Sequence, residues 1–280
     1  MAETVSAWLN SLNALYTPLS SHFDAARSHK SSIETRLDYM LGIYRMFEIG
    51  SLRQGTGIWQ FSDADYLVSL KGDRPASSTT MLNEIRDALT GRFPGTTVSV
   101  RSPAVVCRFA DCEVEVVPGY ISDTATSNGY WIADPALTGG WMKSYPEAHN
   151  EYVNTVNKKF NGGVKTLARQ LKIWKYKRSV PVSSCYLEMR AAKYMDGQES
   201  YIQIYDLYLA LSNIHTAGLA AMNDPSGLGS RFTACSSAAT KADAMSKLST
   251  AVARASKALD YYKAEDHSSA IEQLKLLFNR

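Results

Sequence analysis

The fold is decided by the stretch GSLRQGTG at residues 50–57, which is followed at Asp63-Ala64-Asp65 by the start of an apolar segment. Glycines let a backbone approach an anion closely, and the amide and hydroxyl of Ser51 in such a turn can hold a terminal phosphate. By itself the turn is equally compatible with a helix that ends at Gly50 and continues into an ordinary loop. Its weight comes from the two carboxylates that follow it.

Asp63 and Asp65 are two residues apart, so a strand would place both carboxylates on one face, about 6–7 Å from each other. That distance suits a Mg²⁺ ion held between them or shared with a second ion. Three acid-x-acid patterns occur in the sequence, and roughly three are expected by chance from its acidic content. The order of the motifs raises the signal, because a carboxylate pair at the start of a buried strand needs a ligand or a counter-charge.

The other two acid-x-acid patterns overlap just before a run of valines. Glu113 and Glu115 share one face of the strand predicted over residues 112–117, while the valines of the segment take the other face. A neighbouring strand could bring one of these glutamates beside Asp63 and Asp65. A half-exposed edge strand with its polar side in water is the alternative, and spacing alone does not reject it.

The segment 163–175 predicts an amphipathic helix with a basic face. Lys165, Arg169 and Lys172 follow one another at spacings of four and three, away from the apolar stripe. Between residues 158 and 178 there are eight basic residues and no acidic one. Such a run is commonly a solvated face, but like charges at i, i+4 repel, so a bound anion explains the arrangement better. The next helix begins at Ser183-Ser184, where hydroxyls and free amides favour phosphate.

Periodicity along the chain predicts an α+β protein in two parts. Helical spacing covers the first fifty residues, with a second helix that continues to Ile49. β-Branched and aromatic residues then predict an antiparallel sheet up to about residue 121, interrupted by a helix over 79–93. After a turn-rich segment at 122–146 the chain becomes helical again. The two predicted domains are a sheet domain with N-terminal helices at 1–145 and a helical domain at 146–280.

The composition bounds the function classes. With 280 residues, 45% hydrophobic and 20% charged, the chain is typical of a globular protein rather than a disordered or fibrous one. A net charge of +3 is too small to indicate nucleic-acid binding by the whole surface. The four cysteines form no CxxC pair and the five histidines are scattered, so we expect buried free thiols and neither a disulfide framework nor a zinc site. We expect a cytoplasmic protein with no signal peptide or membrane span.

Together these motifs resemble those of the nucleotidyltransferases related to cyclic GMP-AMP synthase and oligoadenylate synthase. The shared features are the GSxxxGT turn, the strand-borne DxD, a third acid before Val116-Val117-Pro118, the Leu-Lys-x-Trp helix and the following Ser-Ser. The resemblance covers about residues 30–235 and is strongest to the bacterial CD-NTases, which make cyclic oligonucleotides for antiphage signalling. It implies a polymerase-β-like sheet domain followed by an oligoadenylate-synthase-like helical domain, with the active site in the cleft between the two lobes.

The resemblance also implies roles for individual residues. The nucleotide-binding residues that it implies are Gly50, Ser51, Thr56, Lys172 and Ser184. The implied catalytic residues and metal ligands are Asp63, Asp65 and Glu115, the last at a position that is usually Asp in the family. An aromatic residue that stacks on a base usually follows the serine, but this chain has Cys185 and then Tyr186, so the stacking residue stays open.

The implied reaction joins ribonucleoside triphosphates such as ATP and GTP into a cyclic di- or oligonucleotide, with release of pyrophosphate. Two Mg²⁺ ions, or Mn²⁺ in their place, would serve as cofactors in a two-metal phosphoryl transfer. A separate effector protein would read the product, and neither a membrane nor a stable nucleic-acid partner is implied. Two alternatives stay open: a nucleotidyltransferase that acts on tRNA, a protein or a small molecule, and a catalytically silent nucleotide sensor.

Overall fold

The computed structural model describes residues 3–122, 129–134, 137, 140–229 and 231–280. The elements up to the last long strand are α1 (Val5–Tyr16), a 3₁₀ turn (Ser20–Phe23), α2 (Asp24–Leu41), β1 (Ile43–Glu48), α3 (Gly50–Gln54), β2 (Ala64–Leu70), α4 (Ser78–Arg92), β3 (Thr97–Arg101), β4 (Ala104–Arg108), β5 (Glu113–Ile121), β6 (Tyr130–Ala133) and β7 (Trp141–Ser144). The elements that follow are α5 (Pro146–Lys159), α6 (Gly163–Lys177), α7 (Ser184–Asp196), α8 (Gln203–Thr216), β8 (Met222–Asn223), β9 (Arg231–Phe232), α9 (Ala238–Lys263) and α10 (His267–Phe278).

The main sheet is mixed rather than antiparallel as predicted. Its strands lie in the order β1-β2-β5-β4-β3, and β6 pairs with β5 and β7. The β2–β5 pair is parallel and puts Asp65 in register with Glu115, while the other pairs of this sheet are antiparallel. The parallel pair arises because α4 and the β3–β4 hairpin carry the chain back to the starting edge before β5 begins.

The second helix ends eight residues before the predicted stop at Ile49, and β1 takes its place. Gly42, at φ 69°, ends α2, and its backbone N–H donates to the carbonyl of Asp38. Only a glycine adopts this conformation without strain, so the helix cannot continue through it. Ile43 and Met46, which have helical spacing in the sequence, are both buried in β1, and the irregular register between Ile43 and Arg45 allows two residues three apart to be buried together.

The later helices begin close to the predicted positions. Starts expected near residues 147, 163, 183, 199 and 238 are observed at Pro146, Gly163, Ser184, Gln203 and Ala238. The segment predicted as turns at 122–146 contains β6 and β7, and its residues 123–128, 135, 136, 138 and 139 lie outside the described residues. Of the four free thiols only Cys107 is buried, so the expectation of buried cysteines holds for one of them.

Two large apolar clusters form the core. One joins the sheet to α2 and α4, and the other joins α5–α10 to α1. Trp8 of α1 contacts Phe278 of α10, with 6.1 Å between the ring centroids, so the N-terminal helix packs on the helical lobe. The division at residues 145 and 146 stays a prediction, although it coincides with the interval between β7 and α5. In the described part of the chain no helix is long and apolar enough to cross a membrane.

Candidate active site

A cavity of about 230 Å³ lies between the sheet lobe and the helical lobe. Six of the eight residues predicted for the site line it, four from the sheet lobe and two from the helical lobe: Gly50, Ser51, Asp63, Asp65, Lys172 and Ser184. Thr56 and Glu115 are the two that do not. Its lining also includes residues that the sequence analysis did not select, namely Gln54, Phe61, Ser62, Tyr176, Cys185 and Glu188.

The glycine turn lies directly against the first acid pair. Gly50 begins the short helix α3 at φ 58°, and a Cβ atom at this position would lie 2.5 Å from Oδ2 of Asp65. The backbone of the turn therefore approaches the Asp65 carboxylate more closely than any side chain would permit. Ser51 follows immediately and faces the same cavity, as the sequence pattern predicts.

Three carboxylates converge beside the cavity. Oxygen atoms of Asp63, Glu113 and Glu115 lie within 4.8 Å of one another. Nη2 of Arg101 lies 3.3 Å from Asp63 and 2.9 Å from Glu113, and it also contacts Glu115. Arg108 binds Glu113 alone among the three, with Nε at 2.9 Å. Arg101 is thus the counter-ion that these acids share, and the sequence analysis did not identify it.

Asp65 lies on the cavity side of this acidic cluster. Burial raises its pKa to about 7, and the negative charges of Asp63 and Glu188 act in the same direction. Burial also raises the pKa of Asp63, and the negative charge of Glu113 is the second cause of that increase. Carboxylates that are held close together and partly buried bind either a proton or a cation more favourably than exposed ones do. All the donor atoms are carboxylate oxygens, the ligands that Mg²⁺ and Mn²⁺ prefer, so the donor set fits the metal implied by the sequence motifs.

Lys172 is paired inside the protein. Its Nζ donates to Oε1 of Glu188 at 2.7 Å and to the carbonyl of Thr56 at 3.0 Å, and its side chain is 1% exposed. The Thr56 hydroxyl donates to the same Glu188 oxygen at 2.5 Å. Thr56 therefore does not reach the cavity as predicted. It joins the loop after α3 to α6 and α7 through a buried network, and Glu188 already neutralises the charge of Lys172.

Lys175, one helical turn farther along α6, has a different environment. Its Nζ donates to Oγ of Ser184 at 2.5 Å and lies 4.5 Å from the ring centroid of Tyr176. Burial lowers the pKa of Lys175 to about 8, and the charge of Lys172 contributes to the decrease. In the described ranges Lys175 forms no ion pair. Its contact with Ser184, the first residue of α7, directs its unpaired charge toward the cavity wall where the sequence predicts phosphate binding.

The structure shows which aromatic side chains near Ser184 line the cavity. Tyr186 is fully buried and its hydroxyl donates to the carbonyl of Ala220, so it does not face the cavity. Phe61 and Tyr176 both line the cavity and stack on each other, with 4.8 Å between centroids and 10° between ring planes. Gln54 lines it too and leaves its buried Oε1 without a hydrogen-bond partner. No sequence motif marks these three residues.

Comparisons with known proteins agree with this arrangement. The profile of the Second Messenger Oligonucleotide or Dinucleotide Synthetase domain matches residues 4–157. A probable cyclic nucleotide synthase of Bacillus cereus strain VD146 is 29% identical over 142 residues. That match covers 49% of this chain and 43% of the relative, so the chain aligns with less than half of this curated protein.

Solved structures resemble all or most of the chain. CdnC of Escherichia coli MS115-1, solved with ATP, has a TM-score of 0.74 and 16% identity, and the match covers 98% of this chain and 97% of CdnC. The CD-NTase CdnG of Bradyrhizobium diazoefficiens, solved with GTP, has a TM-score of 0.74 and 11% identity, over 100% and 99% of the two chains. The Vibrio cholerae DncV cyclic AMP-GMP synthase has a TM-score of 0.65 and 17% identity, over 84% and 68%. The predicted α+β, polymerase-β-like fold is confirmed.

Proposed function

The chain belongs to the Second Messenger Oligonucleotide or Dinucleotide Synthetase family, and from this membership we propose that it joins ribonucleoside triphosphates into a cyclic di- or oligonucleotide messenger. Pyrophosphate is the second product. ATP and GTP are the proposed substrates, in keeping with the nucleotides named in the solved CdnC and CdnG complexes. The proposed setting is antiphage signalling in the cytoplasm, with a separate effector protein that reads the product and without a stable nucleic-acid partner.

The observation that carries the proposal is the cavity between the lobes. It combines carboxylates, a glycine-serine turn and a helix start whose Ser184 hydroxyl is bonded to a lysine, which are groups that metal-assisted phosphoryl transfer uses. Ser51 and Ser184 lie on opposite walls and are the proposed phosphate contacts. Lys175 supplies the unpaired positive charge beside Ser184. Phe61 and Tyr176 supply aromatic faces for a base.

Asp63, Asp65 and Glu115 are the proposed ligands of two Mg²⁺ ions, for which Mn²⁺ could substitute. When bound, the ions would neutralise the triphosphate and lower the pKa of the attacking hydroxyl. In this proposal the Gly50-Ser51 turn would contact the polyphosphate, and the register of Asp65 with Glu115 keeps these two acids on one sheet face.

A second cavity, of about 280 Å³, shares Phe61, Ser62 and Asp63 with the first. The two cavities therefore meet at one proposed metal ligand. A reaction that joins two nucleotides needs a site on each side of the transferred phosphoryl group, and this arrangement supports such a reaction over the hydrolysis of one nucleotide.

Incubation of the pure protein with Mg²⁺ and the four labelled ribonucleoside triphosphates tests the proposal. We expect a product that resists both phosphatase and exonuclease, because a ring has neither a terminal phosphate nor a free end. Label transferred to added tRNA, protein or aminoglycoside would instead support the first alternative. Nucleotide binding without any product would support a silent sensor, and either result would overturn the proposal.

The choice of third ligand needs a matched pair of variants, because Glu113 is as close to the acidic cluster as Glu115. We propose Glu115 on the strength of its position before Val116. Glu115→Gln should reduce product formation by at least about a hundredfold, and Glu113→Gln by less than about tenfold. A reversed order would assign the third ligand to Glu113 and leave the proposed reaction intact.

A further inference from the structure

A third cavity, with a basic lining, lies on the helical lobe, away from the proposed active site. It has a volume of about 240 Å³ and lies among α6, α9 and α10. Its floor is apolar and its rim is basic. The residues that matter for the argument are Trp174, Ala251 and Leu277 in the floor and Arg178, Lys247 and Arg254 at the rim.

The rim concentrates positive charge without carboxylates in the lining. Arg178 and Arg254 both donate to the carbonyl of Leu276, and Arg178 also donates to that of Leu277 at 3.2 Å. Two guanidinium groups thus meet at one oxygen. Lys247 is the only rim cation with an acidic partner among the described residues, since its Nζ binds Asp243 at 2.8 Å. The local charge is therefore clearly positive.

Capping of α10 explains part of this arrangement. Basic side chains commonly bind the last carbonyls of a helix, and Arg178 and Arg254 do so here. One arginine would suffice for that role, however, and a guanidinium has five N–H donors, most of which the caps leave unused. Burial lowers the pKa of Arg178, and the neighbouring charge of Arg254 lowers it further, so the two cations repel each other. A bound anion would offset that repulsion.

The floor selects among anions. Trp174, Ala251 and Leu277 are each at most 2% exposed, so packed apolar side chains close the floor of the cavity and leave little of their own surface open. A ligand with an apolar body would lie over this floor and along the carbon stems of the rim cations, where an inorganic ion would make no contact. We infer that this cavity binds a small organic anion, with its phosphate or carboxylate between Arg178 and Arg254 and its apolar body on Trp174 and Leu277.

This site is independent of the proposed reaction but shares a helix with it. Lys172 and Trp174 are two positions apart on α6, and they line the interlobe cavity and the helical-lobe cavity respectively. The experiment must therefore separate the two cavities. Two variants do so: Arg254→Gln acts on the new site, and Lys175→Gln acts on the proposed phosphate contact between the lobes.

Phenyl phosphate is the probe, titrated into the full chain by calorimetry. We expect Arg254→Gln to raise its Kd about tenfold or more, because a charge-assisted hydrogen bond is lost. Lys257→Gln, an exposed position on the same helix outside the cavity, should change it less than twofold. Lys175→Gln should also leave it unchanged. If Arg254→Gln fails to fold, Lys247→Gln serves as the second variant.

Three results would overturn the inference. Equal weakening by Lys257→Gln would indicate general surface charge, and weakening by Lys175→Gln alone would place the probe in the interlobe cavity. Binding of inorganic phosphate as tight as that of phenyl phosphate would remove the role of the apolar floor. Benzoate compares the two anionic heads: tighter binding than phenyl phosphate supports a carboxylate ligand, and weaker binding supports a phosphate ester.

Discussion

The charges of the sheet lobe and those of the helical lobe are handled in opposite ways. On the sheet lobe Asp63, Glu113 and Glu115 converge and share the half-exposed Arg101 as counter-ion. On the helical lobe Lys172 and Glu188 form a buried pair, with side chains 1% and 4% exposed and a third partner in Thr56. A cluster of like charges in a folded protein indicates groups that bind a ligand, whereas a buried ion pair with all its partners indicates groups that stabilise the fold.

The largest effect that this comparison predicts is at Asp65. Asp65→Asn should reduce product formation by about a thousandfold or more, because a proposed metal ligand is lost. The native pKa of about 7 lies above the usual value, so the native state binds more protons than the unfolded chain up to that pH, and stability decreases as the pH rises toward 7. The neutral amide should therefore raise the melting temperature at pH 8, measured by calorimetry.

Asp73→Asn, at an exposed position outside both cavities, is the matched control and should change neither quantity. A loss of folding in Asp65→Asn, in place of a rise in melting temperature, would show that the carboxylate supports packing. The acids of the sheet lobe would then stabilise the fold, as the buried pair of the helical lobe does, and the contrast between the lobes would be wrong.

The second effect is one of stability and concerns the helical lobe. Glu188→Gln removes the carboxylate that is hydrogen-bonded to the buried Lys172, and breaking one partner of such a pair costs about 3–5 kcal/mol of unfolding free energy. Glu272→Gln, in the exposed pair with Lys275, should cost less than about 1 kcal/mol. Urea denaturation measures both. A loss in Glu188→Gln as small as in Glu272→Gln would mean that the network is not structural.

Much of this site could be predicted from sequence because the motifs are local. Gly50, Ser51, Asp63 and Asp65 lie within sixteen positions, and glycine freedom and strand alternation fix their relation. The start of α6 at Gly163 follows from the periodicity of its apolar stripe. These features need no knowledge of what packs against them.

The remaining features depend on contacts between distant segments. Lys172 lies in the basic run, but its partner Glu188 comes from the next helix and Thr56 from the other lobe, so spacing could not reveal the pair. Arg101 ends β3, and it reaches the acids only because β3 pairs with β4, which in turn pairs with β5. The parallel β2–β5 register likewise follows from tertiary packing that overrides local pattern. The early end of α2 is different, because Gly42 itself is a local stop signal that the apolar spacing conceals.

The third prediction tests the counter-ion of the acidic cluster. If Arg101 occupies the position that a metal ion requires, Arg101→Gln should bind Mn²⁺ about tenfold or more tightly in the absence of nucleotide, because a competing charge is removed. Arg108→Gln is the control, since among the three clustered acids Arg108 contacts Glu113 alone, and the Mn²⁺ affinity of this variant should change less than threefold. Electron paramagnetic resonance of free Mn²⁺ measures both. Equal affinities for the wild type and Arg101→Gln would show that the arginine does not compete with the metal.

The smallest expected effect distinguishes two lysines on one helix. Lys172 is neutralised by Glu188, whereas Lys175 forms no ion pair in the described part of the chain and bonds to Ser184. Lys175→Gln should therefore raise the KM for nucleotide about tenfold, with kcat little changed, through loss of one charge-assisted contact.

The wild-type pKa of about 8 means that Lys175 is charged below this pH and neutral above it. The wild-type KM should thus increase as the pH rises through 8. Lys175→Arg stays charged throughout, so it should keep a low KM across this range and lose the pH dependence. If KM depends on pH in the same way in Lys175→Arg as in the wild type, another group causes the pH dependence. Lys175 is then not the charge of the helical lobe that contacts the nucleotide.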